Sequence, residues 1–315
     1  MVGRVIASRR VRAGVLVVVL ACCAYGLYLD WPGTVSALSR LRWYSVAEAL
    51  IAAIAGNWCL MFAWRAVLAD FGSPLRPGVA ARICFLGQLG KYVPGAVWAV
   101  AAQMELGHDQ GVPRRRGVAS ILVSLAITTG TGLAIAAATL PFSSPEVLRR
   151  YWWVLLAVPV FVALLCPPVL GPVVDRALKI IRQPPLEQRL TWRGLLRASG
   201  WNVAGWLLLG TQVWVLLAGM TGRGLGVAVV AIGGYALAYS AGLLLVVFPS
   251  GLGAREVILI AAVTPVAPHS VALGLALAAR LVATISDLTC GALGFALGRA
   301  GTAGRHAAGA PVTRG

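Results

Sequence analysis

Apolar runs of about twenty residues, nearly free of charge, recur from one end of this sequence to the other, and that recurrence decides the fold class. About 20 apolar residues cross a bilayer's hydrocarbon core as an α-helix, which pairs its backbone N–H and C=O groups within the segment. Only 12% of residues are charged, against roughly 25% in an ordinary soluble domain, so a water-soluble core is excluded. The expected fold is all-α: a polytopic transmembrane helical bundle of about 7–8 crossings, with two broken or re-entrant segments. It is expected to form one domain over residues 1–300, followed by a disordered Gly/Ala-rich tail at 301–315.

Crossings are expected near 13–29, 45–64, 118–140, 151–171, 200–218, 226–248 and 270–298. Arg4, Arg9, Arg10 and Arg12 precede the first run as in a signal peptide, but no A-x-A-like site follows. A retained first helix with a cytoplasmic N-terminus is therefore expected. The formal net charge of +17 resides mostly in the connections, where it reads as topology and as affinity for anionic lipid, not as a nucleic-acid surface. Arg189, Arg193 and Arg197 repeat every four residues, which suits either a helix lying on the cytoplasmic surface or a solvated loop after Pro184 and Pro185.

Two apolar stretches do not read as simple spans. Residues 80–105 are broken in the middle by Gly87, Gly90, Lys91, Pro94 and Gly95, so neither half is long enough to cross alone. If the stretch re-enters, the basic loop at 172–199 stays on the cytoplasmic side with most of the other Lys and Arg; a full crossing would move it outside, against the positive-inside bias. Residues 249–267 contain a second Pro/Gly break followed by a short apolar helix.

Broken helices expose unpaired backbone groups, which a membrane tolerates only inside protein or beside a polar cavity. The first break places Lys91 and Tyr92 beside Pro94 and Gly95, where a new half-helix would open. The second places Ser250, Gly251 and Gly253 before a helix whose first turn holds Arg255 and Glu256. A helix N-terminus beside a cation is an anion receptor, and paired broken segments point to a transporter's central site. Arg280, Thr284 and Asp287 share one face of the last long helix, and charges this deep in an apolar run need partners. The pairings expected are Glu256 with Arg280, and Asp287 with Arg255 or Lys91. Tyr235 and Tyr239, one turn apart beside Gly233 and Gly234, suit the lining of a passage but suit helix packing better.

Enzyme signatures such as G-x-x-x-x-G-K-[ST], H-E-x-x-H and G-x-S-x-G are missing, and His108, His269 and His306 are scattered. The six cysteines form no C-x-x-C pair and show no zinc spacing. No catalytic residue, metal or cofactor is expected. Only Lys91 and Lys179 are lysines among the 27 Lys and Arg, a bias suggesting a GC-rich bacterial source.

The segments GQLGKYVPGAVW at 87–98 and FPSGLGAREVILI at 248–260 resemble the lysylphosphatidylglycerol synthase transmembrane-domain family, also described as flippase-like membrane proteins. The family pattern often has a basic residue where this chain has Ala96, and glycine where it has Ser250. The resemblance implies a helical bundle with broken segments that moves or handles anionic or aminoacylated lipids; other relatives are associated with lipid-linked sugars. It does not imply synthase activity, because no soluble aminoacyl transferase domain follows the apolar part.

The function expected is that of a plasma-membrane lipid flippase-like transporter. Its cargo would be an anionic, aminoacylated or polyprenyl-phosphate-linked lipid, with Lys91 and Arg255 on the phosphate and Glu256, Arg280 and Asp287 gating or balancing charge. The alternatives are a membrane enzyme using a lipid-linked donor, with Glu256 or Asp287 as acid or base, and a non-transporting subunit of an envelope-synthesis complex. A homo-oligomer is a further possible assembly.

Overall fold

The computed structural model describes residues 30–92, 98–139, 165–180, 183–222, 224–244 and 253–308, with single positions at 149, 159 and 163. The expected crossing at 13–29 and most of that at 151–171 lie outside the described residues. Within them the chain is helical throughout, in ten α-helices: α1 (Trp31–Ser39), α2 (Trp43–Asp70), α3 (Pro77–Leu89), α4 (Trp98–His108), α5 (Arg114–Thr139), α6 (Pro167–Ile180), α7 (Trp192–Thr221), α8 (Leu225–Leu244), α9 (Ala254–Val263) and α10 (His269–Ala308). A 3-10 turn, Gly90–Tyr92, extends α3.

Among the described residues five helices are long and apolar enough to cross a membrane: α2, α5, α7, α8 and α10. They match the expected crossings near 45–64, 118–140, 200–218, 226–248 and 270–298. The chain is thus a multi-pass membrane protein.

Small residues set the distances between helices, as they must where lipid supplies no hydrophobic drive for association. A β-carbon added at Gly56 on α2 would stand 2.7 Å from Leu209 on α7, and one at Gly210 on α7 would stand 2.7 Å from Ile232 on α8. Trp206, fully buried on α7, fills the space between α5 and α8.

The packing of α3 against α10 positions the site described below. Gly291 faces Leu89, and Gly294 faces the carbonyl oxygen of Ala81, each with 2.9 Å left for a β-carbon. Along α10 the partners run backwards along α3, so the two helices are antiparallel. Because the Ala81 side of this contact is rigid backbone, Gly294→Val must push the helices apart. We expect it to cost about 1–3 kcal/mol, as overpacking does, read as a lowered melting temperature in detergent.

Helices α3 and α4 form a close antiparallel pair: Gly87 lies against Gln103 and Gly90 against Ala99. Residues 93–97, which link the two, lie outside the described residues.

At one end of the bundle polar contacts tie three helices together. Asp70, closing α2, accepts from the Thr191 amide at 2.6 Å and its hydroxyl at 2.9 Å, while Thr191 Oγ1 accepts from the Gly194 amide at 3.0 Å and caps α7. Arg116 of α5 donates to the Gly72 carbonyl at 2.8 Å and, with Arg115, holds Glu187. Because Thr191 starts a helix that runs unbroken for 30 residues, Arg193 and Arg197 belong to the first turns of α7. The helix continues through Gly194 and Gly200 into the apolar run, so the two arginines lie in neither a separate surface helix nor a loop.

Hydrogen bonds from Arg115 and Arg116 hold the Glu187 carboxyl below the usual carboxylate range. A carboxyl lowered in the folded state stabilises above its unfolded value and loses that contribution as pH falls through the folded one. The melting difference between wild type and Glu187→Gln, small for an exposed and salt-screened group, should begin to close below about pH 4.3.

Helix α10 runs through Ala308, into the segment expected to be a disordered tail. Residues 309–315 lie outside the described residues.

Candidate functional site

The site is assembled on α10. Its apolar span, His269–Gly298, has its midpoint between Ala283 and Thr284. Arg280 and Asp287 flank that midpoint on one face, about 10 Å apart along the axis. One short segment reaches each of them.

The first is the end of α3. Its 3-10 turn carries Lys91 and Tyr92 onto Asp287, which is only 8% exposed. Lys91 Nζ lies 2.6 Å from Asp287 Oδ2, and the Tyr92 hydroxyl donates to the same oxygen at 2.7 Å. The ammonium also sits at the C-terminal, negative end of α3, which the helix dipole favours.

The second is the start of α9. Gly253 holds φ +86°, a left-handed conformation that suits glycine, and its amide donates to Glu256 Oε2 at 2.8 Å. This is the N3 half of a capping box; glycine has no side chain to supply the other half. The remaining oxygen, Glu256 Oε1, lies 3.2 Å from Arg280 Nη1. The pairing expected of Glu256 with Arg280 is therefore present, and Asp287 takes Lys91 rather than Arg255.

Arg255 is held differently. Its guanidinium lies 4.6 Å from the ring centres of both Tyr235 and Tyr239 on α8, and it donates to the Tyr235 hydroxyl. Tyr239 packs edge-on against Trp206 at 5.2 Å, and the Trp206 indole N–H donates to Thr131 at 3.1 Å. Thr284, between the two charged residues of α10, bonds the Arg280 carbonyl of its own helix at 2.9 Å.

Three cations, Lys91, Arg255 and Arg280, thus meet two carboxylates, Glu256 and Asp287, at the centre of a span. Among the described residues Arg255 has no carboxylate within ion-pair distance. The flanking segments 93–97 and 245–252 contain no ionisable side chain. Among the described residues the cluster carries one surplus positive charge, and it falls on Arg255. Beside it Tyr235, Arg255, Glu256, Leu259, Arg280 and Ala283 line a small cavity. Its accessible core holds no more than about one water, so a larger group enters only when side chains or helices move.

Seven of the expected site residues come together here: Lys91, Tyr92, Gly253, Arg255, Glu256, Arg280 and Asp287. Pro94, Gly95, Ser250 and Gly251 lie outside the described residues. Tyr235 and Tyr239 join the site, the less favoured of the two roles their spacing suits. Their spacing was visible, but nothing in the sequence linked α8 to Arg255. Among the described residues no group of three His, Cys, Asp or Glu side chains is placed to hold a metal.

Residues 11–291 match the family model described as the lysylphosphatidylglycerol synthase TM region. The chain belongs to that family. No curated protein matches it.

Proposed function

We propose that this member of the family is a plasma-membrane lipid transporter of flippase type, and that the cluster on α10 binds the anionic, phosphate-bearing headgroup of its cargo. The observation that carries the reading is the surplus charge: a half-buried guanidinium with no carboxylate partner among the described residues, beside a helix N-terminus and a cavity. A buried cation is costly unless paired, and an anionic headgroup would supply the missing partner. Arg255 would leave its tyrosines to take the phosphate, since rings release a guanidinium more readily than a carboxylate does. The Lys91–Asp287 and Arg280–Glu256 pairs would hold the two short segments on α10 until the cargo arrives.

The lengths of the short helices support a re-entrant reading. Thirteen residues in α3, eleven in α4 and ten in α9 give about 15–20 Å each at 1.5 Å per residue, well short of the roughly 30 Å hydrocarbon core. On that reading α3 and α4 enter and leave by one face, the N-terminus is cytoplasmic, and an anionic or lipid-linked group reaches the cluster from the leaflet. No catalytic role is assigned to Glu256 or Asp287, because each is already committed to a cation.

The test is lipid movement in liposomes containing the purified protein, scored by the fraction of acyl-labelled fluorescent lipid that dithionite quenches from outside. Phosphatidylglycerol should equilibrate between leaflets faster than in protein-free liposomes, and phosphatidylcholine should not. Equal rates with and without protein, for every anionic and lipid-linked probe, would overturn the reading.

A further inference from the structure

Resting on that reading, the charge inventory of the site goes on to restrict the cargo. We propose that the site accepts one net negative charge at a time, so that a phosphodiester headgroup binds as it stands, and a phosphomonoester binds only in its singly protonated form.

Charge is poorly solvated inside the bundle, so its sum there decides what can enter. Three cations against two carboxylates leave one positive charge uncompensated. A monoanion on Arg255 brings the cluster to neutrality without breaking either ion pair. A dianion would leave one negative charge unpaired near the centre of the bundle, and an uncompensated buried ion costs several kcal/mol. The cheapest escape is to take the proton with the cargo, as buried groups do.

The side-chain types at the site ordinarily titrate outside pH 5.5 to 7.5. Asp287 faces Lys91 and Tyr92 from the turn, Arg255 from α9, Tyr235 and Tyr239 from α8, and Arg280 and Cys290 along its own helix. Each carboxylate lies against a cation. The titrating species is therefore the cargo.

The experiment compares labelled phosphatidylglycerol, a diester, with labelled phosphatidic acid, a monoester, in proteoliposomes of phosphatidylcholine from pH 5.5 to 7.5. With a second phosphate pKa of about 6, the singly charged fraction of the monoester falls about 25-fold over that window. Wild-type movement of phosphatidic acid should fall by a comparable factor, while phosphatidylglycerol changes less than about twofold, since a diester has no second proton to lose. Asp287→Asn raises the surplus charge by one and should flatten the phosphatidic acid profile; Glu256→Gln makes the same change on the other ion pair if the first variant is unstable.

Phosphatidic acid that moves equally well, or faster, as it becomes dianionic in the wild type would overturn the charge rule while leaving the transporter reading intact. Failure of every lipid to move, or movement unchanged by Arg255→Ala, would instead overturn the reading beneath it. Excess dimethyl phosphate in the outer solution separates a lipid cargo from a soluble one: a lipid site keeps its lipid movement, whereas strong competition would assign the site to soluble phosphodiesters.

Discussion

Arg255→Ala should reduce the protein-dependent movement of anionic lipid about 100-fold while leaving the protein folded. Truncating one partner of a desolvated charge pair costs about 2–5 kcal/mol, and every 1.4 kcal/mol is tenfold. The side chain supplies the surplus charge of the cluster, yet its resting contacts are two tyrosine rings and a hydroxyl, not a carboxylate. Its removal therefore leaves no buried anion unpaired, and the effect should fall on function far more than on stability. Arg255→Lys should retain only part of the activity, since an ammonium keeps the charge but lacks the planar fork that stacks between rings and grips phosphate with two donors. Lipid movement by liposomes containing each variant, set beside melting temperature and elution profile, checks both halves of the expectation.

The second large effect is of the opposite kind. Asp287→Ala should destabilise the protein by about 1–3 kcal/mol, because half-buried Lys91 loses a carboxylate at 2.6 Å. It also removes the acceptor of the Tyr92 hydroxyl. Replacing both partners, Lys91→Met with Asp287→Met, should recover most of that loss, since two apolar side chains of similar volume owe no desolvation cost. Thermal unfolding in detergent separates the outcomes: a double variant no more stable than Asp287→Ala would show that Lys91 and Asp287 do not act as a pair.

These two expectations divide the cluster by role. The Lys91–Asp287 and Arg280–Glu256 pairs fasten the ends of α3 and α9 to α10, and Arg255 is the cation left for a visitor. The glycines of α10 serve the same geometry at longer range. Gly291 and Gly294 let α3 lie close enough for its final turn to reach Asp287.

Much of this was legible in the sequence, for physical reasons that differ from part to part. The spans were visible because a bilayer demands about 20 apolar residues per crossing. The two breaks were visible because proline and glycine interrupt such runs. Arg280 and Asp287 announced a site because charges are expensive at that depth. The choice of Lys91 over Arg255 as the partner of Asp287 was not legible, since it depends on how far the turn after α3 reaches. The tyrosines were not legible either. Tyr235 and Tyr239 face Arg255 because α8 and α9 pack together, with Gly234 against Ala262, and a one-turn spacing in an apolar helix looks the same whether it meets a cation or another apolar side chain. The arginine ladder is split for a related reason: a four-residue repeat does not mark where a helix begins, and Arg189 lies in the loop after Pro184 and Pro185 while Arg193 and Arg197 lie in α7, which continues into the bundle.

The most direct test of the central claim asks where a headgroup touches the protein. Phosphatidylglycerol carrying a photoreactive group on its glycerol headgroup, irradiated with the protein in liposomes and mapped by mass spectrometry, should label peptides containing Tyr235, Tyr239 or Arg255. That labelling should be lost in Arg255→Ala and competed by unmodified phosphatidylglycerol but not by phosphatidylcholine. Labelling confined to outward-facing positions such as Leu281 and Leu288, or unchanged by Arg255→Ala, would contradict the account.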